Sequence, residues 1–193
     1  MLTKKNLYFL AILPDPITSQ RVADIKEDIF NQYGYSYGQR LPAHITLQSP
    51  FILPDEGNEI KLRRILFELA GKWKPFRLKV CNFDSIENRV LTLDVCHSID
   101  LNAFQAELTS LLEKRAGVPL TQLSLQFNPH ITLAHRDIPA EEFDALWDEY
   151  KSRKFDASFE VHHLVLFKHD ETEWQLLDAV KLEKKKEKLK VRA

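Results

Sequence analysis

His44-Ile45-Thr46-Leu47 returns 86 residues later as His130-Ile131-Thr132-Leu133, and the reading of the whole chain turns on that repeat. In an extended strand, successive side chains point to opposite faces. Histidine and threonine therefore share one face in each copy, and the isoleucine and leucine share the other. Each copy has an apolar face that can anchor it in a core and a polar face left free for chemistry. A proline lies just upstream both times, at Pro42 and Pro129. A lone histidine beside a strand threonine is more often structural than chemical. Core packing would repeat the apolar pair, but it gives no reason to repeat the imidazole and the hydroxyl as well.

Working outward, residues 7–13 form a continuous apolar run stopped by Pro14, which reads as a buried strand. Thr18 or Ser19 is expected to cap a helix running to about Gln32. A loop rich in tyrosine and glycine, 33–38, leads to the first motif strand. Further helices are expected over 58–71, from 100 to Gly117, and from Pro139 to Tyr150. Residues 76–83 and 90–95 read as one strand hairpin, and 158–168 with 173–182 as another. Each half thus supplies a helix, a motif strand, a second helix and a hairpin, an internal repeat of elements. The expected fold is α+β: bilobal and pseudo-two-fold duplicated, with two antiparallel sheets facing a central cleft and helices on the outer faces. Residues 1–183 would form this single bilobal domain, and 184–193 a solvated basic tail.

Composition sets the outer limits. The chain of 193 residues carries 27 basic and 28 acidic side chains, for a net charge of −1, and is 44% hydrophobic. That is an ordinary globular balance. Binding to an extended duplex needs a basic excess that is missing here, so a small substrate or a nucleic-acid end is favoured over an extended duplex. The 7–13 run is too short to cross a bilayer and lacks a small-residue cleavage site, so no membrane association and a cytoplasmic location are expected. Cys81 and Cys96 lie in the first hairpin. A turn near Glu87 would set Cys81 opposite Leu93, which predicts buried free thiols suited to a reducing compartment. The absence of a phosphate-binding glycine loop disfavours an ATP-driven ligase. A monomer is the default.

Two facing imidazoles suit general acid–base chemistry, because one ring can be neutral while the other is protonated near neutral pH. Threonine hydroxyls can donate to non-bridging phosphate oxygens and stabilise charge as it develops. Zinc would need three or four converging ligands, and neither motif carries a carboxylate on its polar face, so no metal and no cofactor are expected. A zinc hydrolase and a non-catalytic nucleotide- or RNA-end-binding module are the alternatives. Phe51, just past the first motif, is a candidate for base stacking. Arg136, just past the second, is a candidate for phosphate contact. Arg40 and Tyr37 lie in the loop entering the first motif strand, where binding residues often sit. Strand alternation puts His135 on the face opposite His130. It also sends the neighbours His162 and His163 in opposite directions, while His97 and His169 fall near turns and are expected to be exposed.

Paired H-x-T-x motifs about half a chain apart resemble the two-histidine (2H) phosphoesterase superfamily, which includes the LigT-like 2'-5' RNA ligases. The resemblance covers nearly the whole chain: the apolar first strand with Pro14, the first motif, the stretch FNPHITLAH at 127–135, and the C-terminal hairpin. Residues 48–51 look more like small bacterial members than the tRNA-ligase branch. The resemblance implies a metal-independent site in a cleft, with His44 and His130 as the acid–base pair and Thr46 and Thr132 as the phosphate-binding hydroxyls. It implies cleavage, or reversible formation, of 2',3'-cyclic phosphate or 2'-5' phosphodiester bonds. For ring opening it leans towards His130 as base and His44 as acid.

Overall fold

Strand β1 (Asn6–Ile12) is buried on both of its faces. Tyr8, Leu10 and Ile12 lie in the main core, while Phe9 and Ala11 are buried in a second cluster on the other side. This is why the sequence shows an unbroken apolar run there rather than alternation. Past Pro14 the chain enters α1 (Pro16–Tyr33). Asp15 caps it, accepting from the backbone N–H groups of Ile17 at 2.9 Å and Thr18 at 3.1 Å, and Pro16 sits where no helical hydrogen bond is lost. Thr18, one of the expected caps, instead donates its hydroxyl to Asp15. Gly34, at φ 80°, ends the helix.

The computed structural model describes residues 6–53, 56–121 and 125–183. The expected basic tail at 184–193 lies outside them. After α1 come a short 3-10 helix (Tyr37–Arg40), β2 (Ile45–Leu53), α2 (Glu56–Ala70), β3 (Phe76–Ile86) and β4 (Val90–Val95). Helix α3 (Ile99–Leu111) runs on through a π turn (Leu112–Ala116), and β5 (His130–Ala134) and α4 (Phe143–Tyr150) follow. The chain closes with β6 (Asp156–Val161), β7 (His163–His169) and β8 (Trp174–Lys181).

The α+β class holds, but the strands form one antiparallel sheet rather than two facing sheets. Its order is β6-β3-β4-β5-β2-β1-β7-β8. The two motif strands are neighbours at its centre, joined where Ile45 pairs with Ile131. Alternation shows which face a residue takes; it cannot show that the two motif strands pair with each other. A second difference is at 158–168. The chain breaks at His162, so β6 pairs with β3 at one end of the sheet and β7 pairs with β1 near the other. The cysteines differ too. Asn82, at φ 53°, interrupts the β3–β4 register, setting Cys81 opposite Asp94 and Phe83 opposite Leu93. Cys96, two positions beyond Asp94, is then on the same face as Cys81, and the two form a disulfide with Cα atoms 6.1 Å apart.

Helices α1 to α4 pack onto one face of the sheet. Val22, Leu66, Phe104 and Leu146 share a single cluster with Ile45, Leu47, Ile131 and Leu133. The apolar halves of both motifs are thus fixed in the core, and the His/Thr halves are turned to the face that the helices leave open. The 3-10 helix is held close to β5: a Cβ on Gly38 would sit 1.9 Å from the Leu133 carbonyl oxygen. Gly38→Ala must therefore push this turn off the second motif strand. A destabilisation of about 1–3 kcal/mol is expected in urea unfolding, and an unchanged midpoint would show that the contact is not tight.

Candidate active site

Each motif histidine is oriented by its own main chain. The Nδ1 of His44 is 2.9 Å from the carbonyl oxygen of Pro42, and the Nδ1 of His130 is 2.8 Å from that of Asn128. A carbonyl can only accept, so Nδ1 carries the proton in both rings, and in a neutral ring Nε2 is left as the free lone pair. The same local bond, from residue i to i−2, is made twice. The tautomer is therefore set by the bend of the chain into each strand and needs no buried partner.

The seam between the strands brings the copies together. In an antiparallel pair centred on Ile45 and Ile131, position 44 lies across from 132 and position 46 across from 130. Each imidazole thus faces the other copy's hydroxyl. Ile45 and Ile131, both fully buried, lie on the opposite side of the sheet. His44, Thr46 and Thr132 line a cavity of about 760 Å³.

Its walls differ in character. One is aromatic: Phe9 stacks on Phe167 with centroids 4.5 Å apart, meets Trp174 edge-on at 4.6 Å, and lies 5.5 Å from the His44 ring. The other carries Tyr37, Arg40, His135 and Arg136. Lys26, from α1, also lines the cavity although it is only 6% exposed. Its ammonium donates to the Leu41 carbonyl at 3.1 Å, and burial pulls its pKa down to about 8. Burial also pulls His44 down, to about 4, with the nearby charges of Lys26, His130 and His135 acting in the same direction. His44 is therefore a neutral ring at pH 7.

Of the candidates read from sequence, Tyr37, Arg40 and Arg136 are gathered on one wall of this cavity. Phe51 is not. It is 6% exposed in the core and stacks on Tyr8 at 6.1 Å, on the helix-covered side of β2, so base stacking by Phe51 is withdrawn. His135 moves the other way. β5 ends at Ala134, so alternation no longer governs the next residue, and its ring meets Tyr37 edge-on at 4.7 Å within the cavity. His169, expected to be exposed, reaches the cavity rim and packs against Trp174 at 5.0 Å. His97, His162 and His163 are exposed.

Phe9, Trp174 and Asp94, like Lys26, were missed in the sequence. Phe9 is visible in hindsight, because a strand apolar on both faces must cover something on each. Trp174 becomes a wall only through its pairing with His169 across the β7–β8 hairpin. Asp94 lies directly across from His130 on β4 and shares its face. It supplies the carboxylate that the motif itself lacks, and burial, then the neighbouring Asp84, raise its pKa. Among the described residues, no group of three or more His, Cys, Asp or Glu is placed to hold a metal ion. No helix among them is long and apolar enough to cross a membrane.

The sequence model of the 2'-5' RNA ligase superfamily matches residues 13–173. A Bacillus cytotoxicus protein provisionally named a phosphoesterase is 27% identical over 169 residues, covering 86% of this chain and 93% of its own length. A Bacillus cereus protein with the same provisional name is 33% identical over 131 residues, covering 66% and 71%. Among solved structures, TT0787 of Thermus thermophilus superposes with a TM-score of 0.69 at 18% identity, over 94% of this chain and all of its own. E. coli LigT in complex with 3'-AMP superposes with a TM-score of 0.57 at 20% identity, over 93% and 99%. With the superfamily pattern spanning most of its length and a fold shared with LigT, the chain belongs to the 2'-5' RNA ligase superfamily.

Proposed function

We propose that the protein hydrolyses 2',3'-cyclic phosphates of nucleotides or RNA ends, or the related 2'-5' phosphodiester, with two histidines and no protein-held metal. One observation carries this reading: the matched Nδ1–carbonyl bonds that leave both imidazoles with a free Nε2, each across the seam from a threonine. A phosphate centred over the seam would be approached by an imidazole from either side. The Thr46 and Thr132 hydroxyls would donate to its non-bridging oxygens and stabilise the charge that gathers there in the transition state. LigT has been solved with 3'-AMP, the kind of monoester that ring opening releases.

The lowered pKa of His44 supports one division of roles. His44 is held neutral, so in the free protein it is the ring ready to take a proton. It draws that proton from water, the water oxygen forms the new bond to phosphorus, and the bond from phosphorus to one ribose oxygen breaks. His130, as the acid, gives a proton to that departing oxygen and leaves the alcohol. This reverses the sequence-based leaning, which made His130 the base. Asp94, across from His130, is placed to stabilise that ring's positive charge before it donates. Trp174, half-buried on the cavity wall and backed by the buried Phe9, offers a nucleobase a flat surface.

Two measurements test the reading. His44→Ala and His130→Ala are each expected to lower kcat/KM on a 2',3'-cyclic nucleotide by about 100- to 10,000-fold, with product formation followed by phosphorus NMR. Full activity in either variant sinks the two-histidine mechanism. The second is a histidine NMR titration, in which His44 should titrate near pH 4 rather than at its ordinary 6.5. Between these values the unfolded chain takes up the proton and the folded one does not. Stability linked to His44 is therefore complete above pH 6.5 and is lost as the pH falls towards 4. The acid limb of kcat/KM should likewise lie near pH 4, and a limb at 6.5 would return the base role to another group.

A further inference from the structure

The cavity wall away from the seam is built with more care than one phosphate requires. Arg40 and Arg136 both lie over the ring of Tyr37, with guanidinium carbons 4.4 and 5.0 Å from its centroid. The Tyr37 hydroxyl also accepts from Arg136 Nη1 at 2.6 Å. Among the described residues, no carboxylate is ion-paired with either guanidinium. Packing alone would be served by one arginine on an aromatic face. A second beside it brings like charge with no carboxylate in direct contact, on a chain whose net charge is −1.

Three independent contacts hold this cluster in place. Gly38 lets the 3-10 helix lie against the Leu133 carbonyl. The Asp137 carboxylate accepts from the backbone N–H groups of Ser36 and Tyr37, both at 2.7 Å. Arg136 takes a left-handed backbone conformation, φ 66°, uncommon for a residue with a side chain. Together they tie the exit of β5 to the entry of β2. Arg40 lies four residues before His44, and Arg136 four after Thr132. Each stem therefore starts within about 14 Å of a group that would hold the reacting phosphate.

We propose that Arg40, Tyr37 and Arg136 form a second anion subsite, which binds a phosphate of the substrate other than the one being cleaved. Guanidinium forks suit such a group because they match phosphate oxygens in pairs. The favoured substrate then carries at least two phosphates: either a 5'-phosphate on the nucleotide with the cyclic ring, or the internal phosphodiester of a short RNA end. This deepens the proposed function and rests on the seam holding the first phosphate.

Binding can be measured apart from turnover. Calorimetry on the wild-type protein with adenosine 3'-monophosphate and adenosine 3',5'-bisphosphate should show the bisphosphate bound at least about tenfold more tightly. In Arg40→Ala and Arg136→Ala that ratio should fall towards one, and Arg136→Lys should restore part of it. A wild-type ratio of one, or a ratio that survives in both alanine variants, overturns the subsite. A variant that merely loosens the fold would weaken both ligands alike and leave the ratio standing, which counts against the proposal. Turnover of adenosine 2',3'-cyclic phosphate with and without a 5'-phosphate, and of a dinucleotide ending in the cyclic phosphate, then separates the two sources of the second phosphate. If no cyclic phosphate is cleaved while the binding ratio behaves as expected, the subsite stands and the hydrolase reading falls.

Discussion

The site depends on one narrow join. Ile45 and Ile131 pair across the centre of an eight-stranded sheet, with four strands on either side of the seam between them. Nothing else in the ladder links β2 to β5. Yet this rung decides which side chains meet, because a slip of one residue would turn each histidine and threonine into the core and bring isoleucine and leucine out. The helices guard against that slip. Helices α1 to α4 pack on the isoleucine face, where Ile45, Leu47, Ile131 and Leu133 are buried together. Hydrophobic burial on one side thus fixes the register that places two imidazoles and two hydroxyls on the other.

Charge is arranged around the join in a way that the net value conceals. Lys26, Arg40 and Arg136 all line the same cavity as His44, against a single acid, Glu173. The Lys26 ammonium adds to what keeps the His44 ring neutral, and both groups have their pKa lowered first by burial. Both shifts disfavour positive charge in the cleft. An incoming phosphate would relieve that cost, so the same features that hold His44 neutral make the cavity receptive to anions.

The shared polar face of each motif was legible in the sequence because it needs only alternation: His44 with Thr46, and His130 with Thr132, fall on one face of any strand. Pairing between strands was not legible. Side-chain period says which way a residue points and nothing about its neighbour, so two sheets were expected where one exists, and Asp94 across from His130 went unseen. Irregular backbone defeated the rest. The left-handed residue at Asn82 shifts the hairpin and brings Cys81 to Cys96. The end of β5 at Ala134 frees His135 from alternation and lets it enter the cleft. Phe51 shows the converse: next to a motif in sequence, it is turned by the regular strand into the core.

A crystal structure with adenosine 3'-monophosphate bound tests the central claim most directly. The phosphorus is expected over the Ile45–Ile131 seam, between the Nε2 atoms of His44 and His130, with the Thr46 and Thr132 hydroxyls within hydrogen-bond distance of its oxygens. A phosphate seated elsewhere in the cleft, with either imidazole out of reach, would contradict it.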